Sequence, residues 1–187
     1  MRLKLFDIID ETLSLMDEHQ DTYVEVQSKI NKTLDTLFKH QEMVVGTRSR
    51  IKSKESFREK IIRNRLYVEF GSAKEILANL HELIGFCIEC RFIDDEYRVL
   101  TQLRNHFSIR NEEDGYYSCK ENPSLFFDCD SYQPKIQKNG FAIYRIDGYY
   151  MENGIKVNVE LQIKALVHSF WGDIEHKLGY KNTYYYV

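Results

Sequence analysis

Two groups of residues in this 187-residue chain have the types and spacing to do chemistry. The first lies between Val157 and Ala165, where Asn158, Glu160, Gln162 and Lys164 alternate with Val159, Leu161 and Ile163. Alternation is the period of a half-buried strand, so the polar set shares one face. From Val167 the period becomes that of a helix. Val167, Phe170, Trp171, Ile174 and Leu178 make an apolar stripe, and His168, Gly172 and Glu175 an adjoining one. A strand face bearing a carboxylate, an amide and an ammonium, joined directly to such a helix, can converge several polar groups on one pocket. The commoner fate of a polar face in an antiparallel sheet is plain solvation.

The second group is cationic. Between Val45 and Leu66 stand Arg48, Arg50, Lys52, Lys54, Arg58, Lys60, Arg63 and Arg65, opposed only by Glu55 and Glu59. Residues 1–44 have the opposite sign, with nine acids against Arg2, Lys4, Lys29, Lys32 and Lys39. A basic cluster inside a chain of net charge −3 suits a polyanion better than it serves solubility. On a helix beginning near Ser53, the residues Ser56, Lys60 and Arg63 share a face, and Lys52 stands at its start. Hydroxyl, ammonium and guanidinium groups so placed can clamp a triphosphate, Arg through its forked donors. A solvated basic helix is the alternative.

Several elements must position these groups. Glu82–Phe92 is a near-continuous apolar run and predicts a central strand buried on both sides. Asp94 and Asp95 then open a helix through Tyr97, Leu100, Leu103 and Phe107. Residues 108–130 read as short strands and turns, and Asn139–Gly140 as a turn before a strand beginning at Phe141. Residues 1–42 repeat Leu5, Ile8, Ile9, Leu13 and Met16, then Val24, Ile30, Leu34 and Leu37, at helical spacing. This predicts two helices or one long broken one. We divide the chain into an N-terminal helical arm, 1–44, and a domain carrying the chemistry, 45–187. The arm either packs on the core or contacts another chain.

Composition narrows the class. Hydrophobic residues at 43% and aromatics at 13% suffice for a real core. The net charge argues against a general coat for nucleic acid. No apolar run is long enough to span a bilayer, and the N-terminus is too charged for a signal peptide. Cys87, Cys90, Cys119 and Cys129 read as reduced thiols of a cytoplasmic protein. Cys87 and Cys90 have C-x-x-C spacing, but three residues apart on a strand they face opposite sides. No second pair completes a zinc site.

The string V-E-L-Q-I-K-x-x-x-H-x-F-W-x-x-I-E-H-K-x-x-Y-K, from Val159, closely resembles the V-E-I-Q-I-R-T … W-A-x-I-E-H-x-x-Y-K signature of the RelA/SpoT-type nucleotide pyrophosphokinases, the alarmone synthetases. R-I-K-S-K-E-S-F-R-E-K, Arg50–Lys60, is similar to the family's R-x-K-x-x-x-S-x-x-x-K segment for ATP phosphates. Gly85, Asp94, Asp95 and Tyr97 match its D-x-x-G-x-R-(strand)-D-D-x-Y block. Glu82 stands there for the metal-binding Asp, and Cys87 for a phosphate-binding Arg. Phe141 stands for the Tyr that stacks on the acceptor base in N-G-Y-x-S-x-H, with Ile143 and Arg145 for the Ser and His. The blocks span about Arg48 to Asn182, in the family's order.

The resemblance implies an α+β fold: a mixed sheet flanked by helices, with a nucleotidyltransferase-like core and an N-terminal helical arm. It implies transfer of the β,γ-pyrophosphate of ATP to a ribose 3'-hydroxyl of GDP, GTP or a related acceptor such as a tRNA 3' end. Mg2+ would be the cofactor, held by Glu82 and Glu160, which would also be catalytic. Arg50, Lys52, Ser56, Lys60 and Arg63 would bind ATP. Phe141, Gln162, Lys164, His168 and Glu175 would bind the acceptor, although His168 and Glu175 read equally as polar surface. The substitutions at Glu82 and Cys87 leave open a degenerate domain that senses nucleotides without turnover. The acidic arm leaves open an interaction module binding a protein partner or a second copy.

Overall fold

The helical spacing of the N-terminus resolves into α1 (Arg2–Glu18) and α2 (Gln20–Phe38), broken at His19. A computed structural model describes residues 2–80, 82–130, 134–137, 140–172 and 174, with side chains from Asp7 onward. After α2 come β1 (Val44–Ile51), α3 (Lys54–Arg63), the single turn α4 (Leu66–Glu69), α5 (Ala73–Asn79), β2 (Ile84–Cys90) and α6 (Ile93–His106). Short strands follow: β3 (Ile109–Arg110), β4 (Tyr117–Ser118), β5 (Leu125–Phe127) and β6 (Lys135–Ile136). The long hairpin β7 (Ala142–Glu152) and β8 (Ile155–Ala165) comes next, and 166–172 is helical.

The strands form one sheet in the order β1-β2-β8-β7-β5-β4-β3, with β6 pairing β7 off this path. β2 and β8 are parallel and the other pairs antiparallel, so the sheet is mixed. The fold is α+β with flanking helices, as expected. No described helix is long and apolar enough to cross a membrane.

The sheet's two faces divide the chain's work. Val157, Val159, Leu161, Ile163 and Ala165 are fully buried, and the register puts Phe86 and Ile88 of β2 beside Leu161 and Ile163. Thr47 and Ser49 of β1 continue that face. There α2 lies against them: Gln27 and Asn31 amides donate to Ser49 Oγ at 2.9 Å each, and Thr47 Oγ1 donates to Asp35 at 2.7 Å. The apolar residues of α1 and α2 expected at helical spacing, Ile9, Met16, Ile30, Leu34 and Leu37, join the same core cluster. The opposite face of β1, β2, β8 and β7 carries the chemistry.

One expectation needs correction. β2 is not buried on both sides: Gly85 and Cys87 are half-exposed on the chemical face, although Cys90 is in the core. Its apolar composition was misleading because glycine and cysteine count as apolar while lining a cavity. On the 166–172 helix the stripe Val167, Phe170 and Trp171 is exposed, and His168 and Ser169 turn inward. Buried polar partners for His168, described below, decide that orientation. The sequence reading also left β1 unassigned, because its alternation is of cations and small polar residues.

Gly148 lets β7 approach β5 closely. A Cβ there would lie 2.4 Å from Phe126 O and 2.4 Å from Phe127 Cδ1. Gly148→Ala is expected to lower stability by about 2 kcal/mol, the scale of an overpacked core site, measured by urea denaturation. A variant of unchanged midpoint would contradict this packing.

Candidate active site

Strand register assembles the site. Arg50, Gly85, Glu160 and Asp147 form one row across β1, β2, β8 and β7; Arg48, Cys87, Gln162 and Arg145 form the next. Paired residues share a face, so these side chains rise on one side. All of them but Asp147 line a cavity of about 400 Å3, together with Lys52, Glu82, Lys164 and Ser169. Its wall carries Arg48, Arg50, Lys52, Arg145 and Lys164 against Glu82 and Glu160. A cavity so charged attracts polyanions.

Glu82 is the knot. It precedes β2 with φ +74°, a left-handed conformation that costs a residue with a Cβ roughly 1–2 kcal/mol. Three cations hold it. Lys52 Nζ lies 3.1 Å and Lys60 Nζ 2.9 Å from Oε2, and Arg145 pairs with Oε1. Lys52 is fixed beside it because its backbone N–H donates to Leu83 O at 3.0 Å. Lys60 comes from α3, whose N-cap is Ser53, its Oγ accepting from Ser56 N at 3.3 Å. Burial pushes the Glu82 carboxyl up, but hydrogen bonds from Lys60 and Lys52 outweigh it and hold the group down at about 2. Burial lowers Lys52, against the pull of Glu82.

Glu160 is 4% exposed, on a face where solvation is the common fate. Gln162 Nε2 donates to its Oε1 at 2.6 Å. Oε2 lies 2.5 Å from Arg145 Nη2 yet receives no directional hydrogen bond. Burial raises the Glu160 carboxyl above the usual range, Gln162 and Arg145 oppose that, and the neighbouring Glu82 carboxylate adds to the rise. Two adjacent carboxyls are thus pushed apart, one acidic and one basic, which is the arrangement acid–base sites use. Among the described residues no three potential ligands cluster as a metal site. Two carboxylates are nonetheless enough for Mg2+, which takes one or two from protein and the rest from phosphates and water. The unsatisfied Glu160 Oε2 fits that use.

A second cavity, of about 540 Å3, is lined by Tyr97, Phe141, Tyr144, His168 and Glu96 among others. The Phe141 ring packs on His168 at 4.8 Å and edge-on to Trp171 at 6.3 Å. His168 Nδ1 is 3.0 Å from Glu96 Oε1, which also accepts from Ala165 N at 2.5 Å. Burial raises Glu96, and Ala165 N–H and His168 draw it back. Aromatic faces around an open volume suit a stacked base.

The expected residues therefore fall into separate places. Arg50, Lys52, Glu82, Glu160, Gln162 and Lys164 line the first cavity, with Lys60 reaching it through Glu82. Phe141 and His168 line the second instead of joining Gln162 and Lys164. Ser56 and Arg63 are exposed and line neither, and Glu175 lies outside the described residues. Arg145 was singled out only for replacing a family His, yet it touches both carboxylates. The period-2 placement of Arg145 and Asp147 on β7 was the available signal. Glu96 escaped notice beside Asp94 and Asp95.

A cation-walled cavity floored by two carboxylates suits a phosphorylated ligand. The family profile described as "Region found in RelA / SpoT proteins" matches residues 49–185, and the chain belongs to this family. It is 29% identical over 135 residues to the GTP pyrophosphokinase YwaC of Bacillus subtilis (strain 168), which is 72% of this chain. The match spans 58% of that relative's length, little more than half. The crystal structure of small alarmone synthetase 1 from Bacillus subtilis bound to its product pppGpp shares the fold: TM-score 0.59, 22% identity, 91% of this chain and 80% of that one. The same protein bound to AMPCPP gives 0.56 at 21% identity, over 91% and 78%.

Because Glu82 is depressed in the folded protein, its contribution to stability is present above the ordinary value of 4.5. That contribution is lost as pH falls from there towards 2. Glu160, raised, acts with the opposite sign. Glu82→Gln is expected to flatten the acid-side fall in urea stability over that window. An unchanged profile would contradict the ion pairs at Glu82.

Proposed function

We propose that this chain is an alarmone synthetase that transfers the β,γ-pyrophosphoryl group of ATP to the 3'-hydroxyl of GDP or GTP. The observation that carries the reading is the pair Glu82–Glu160, with its carboxyls pushed apart, at the floor of a cation-walled cavity. Arg50 and Lys52 bind the triphosphate there, with Lys60 beside them. Glu160 orients and deprotonates the acceptor hydroxyl, whose oxygen attacks the β-phosphorus. The bond from that phosphorus to the α-bridging oxygen breaks, and AMP leaves. Glu82 and Glu160 would hold Mg2+, which would supply neutralisation of charge along the phosphates. Gln162 holds the Glu160 carboxylate, and Lys164 adds positive charge near the acceptor. Phe141 stacks on the acceptor base in the second cavity, its ring backed by His168. These residues all belong to 45–187. The helices of 1–44 bury Ile9, Met16, Ile30, Leu34 and Leu37, so a second copy or partner would meet their outer faces, where Val24 is exposed.

A second reading is favoured by Cys87, which leaves its row without a guanidinium on β2: a domain that binds nucleotide without turnover. One assay separates them. The chain, ATP and Mg2+ are incubated with GDP, GTP or deacylated tRNA, and AMP is measured. AMP is expected with the guanosine nucleotides, and Glu160→Gln is expected to cut the rate about a hundredfold or more, the scale of a lost general base. AMP with tRNA alone would move the acceptor. No AMP from a chain that binds AMPCPP would favour the second reading, more so if Glu82→Asp with Cys87→Arg restored turnover.

A further inference from the structure

Arg145 sits where a metal ion is expected. Its Nη2 alone serves both carboxylates, pairing with Glu82 Oε1 and lying 2.5 Å from Glu160 Oε2. Its Nε is buried without a hydrogen-bond partner, and Asp147 Oδ1, 3.8 Å away, is likewise unsatisfied. Arginine is strongest as a fork, with two parallel N–H bonds to one carboxylate. Here a guanidinium with five N–H donors sets one nitrogen between two acids. Nη2 donates a hydrogen bond to Glu82 but none to Glu160, so the Glu160 contact is held by charge and another cation can replace it. The same side chain is 30% exposed and lines the cavity with Arg48, Arg50 and Lys52. When phosphates enter, they offer the fork two oxygens of one group, which the carboxylates as placed here do not.

We propose that Arg145 is a built-in counter-cation: it occupies the Glu82–Glu160 pair in the empty site, competes there with divalent metal, and moves onto phosphate when nucleotide binds. Metal binding by this chain is thereby weak without nucleotide. The inference rests on the reading of Glu82 and Glu160 as the metal-holding pair. It assigns Arg145 a role that neither a general cation nor a structural arginine would have.

The test uses the full chain and two readouts that need no turnover. Mn2+ binding without nucleotide is followed by electron paramagnetic resonance, and AMPCPP binding in metal-free buffer by calorimetry. Arg145→Gln is expected to bind Mn2+ about tenfold more tightly than the unsubstituted chain, because a charge in contact with both ligands is gone. It is expected to bind AMPCPP several-fold more weakly, for want of a phosphate partner. Arg50→Gln removes the same charge from the same wall without a contact to either carboxylate. It should weaken AMPCPP and leave Mn2+ within about twofold. Adding Glu160→Gln to Arg145→Gln should abolish the gain in Mn2+ affinity. Arg145→Met, neutral and of similar length, repeats the test if Arg145→Gln fails to fold. The proposal is overturned if Arg145→Gln binds Mn2+ no more tightly, if Arg50→Gln gains as much, or if the double variant keeps the gain. A chain that behaves as expected here but never releases AMP would overturn the enzyme reading and leave this one standing.

Discussion

The ion cluster at Glu82 is the constraint on which the site depends. A carboxylate in a left-handed backbone conformation is tied at once to the end of β1, to α3 and to β7. Unit charges about 4 Å apart attract by roughly 4 kcal/mol where the effective dielectric is near 20. Three such contacts oppose both the backbone strain and the desolvation of the buried groups. They also tie α3, through Lys60, to strands from late in the chain, beside a cavity walled by β1, β2, β7 and β8. The price is a carboxylate pair in close contact, which Arg145 relieves.

The sheet makes this arrangement possible by separating its faces. α2 seals one side with Ile30 and Leu34, and leaves the other for charged rows running from Arg50 to Asp147 and from Arg48 to Arg145. Those rows exist because β2 and β8 run parallel, placing Gly85 beside Glu160 and Cys87 beside Gln162. The two short side chains on β2 keep the floor of the cavity open.

Much of this was legible in the sequence. The alternation of β8 gave both its faces, and Ser53 gave the start of α3. The family strings carried Lys52, Glu82 and Glu160 to one place. What escaped was set by long-range register. Whether a polar strand face is solvated or covered depends on what packs above it, and Glu160 is covered. Nothing local marks Arg145 as the partner of a residue 63 positions earlier. The stripe of Val167, Phe170 and Trp171 reads as a core face, yet His168 is drawn inward by the buried Glu96, 3.0 Å away. Periodicity reports which residues share a side, not which side faces in.

The central claim is that cations from β1 and α3 and the carboxylate of β8 grip one triphosphate. A crystal structure of the chain with AMPCPP and Mg2+ tests it most directly. The account predicts phosphate density between Lys52, Lys60 and Glu160, with the Arg145 side chain turned from Glu160 onto phosphate. Nucleotide bound elsewhere, with Arg145 still bridging Glu82 and Glu160 and the cavity empty, would contradict it.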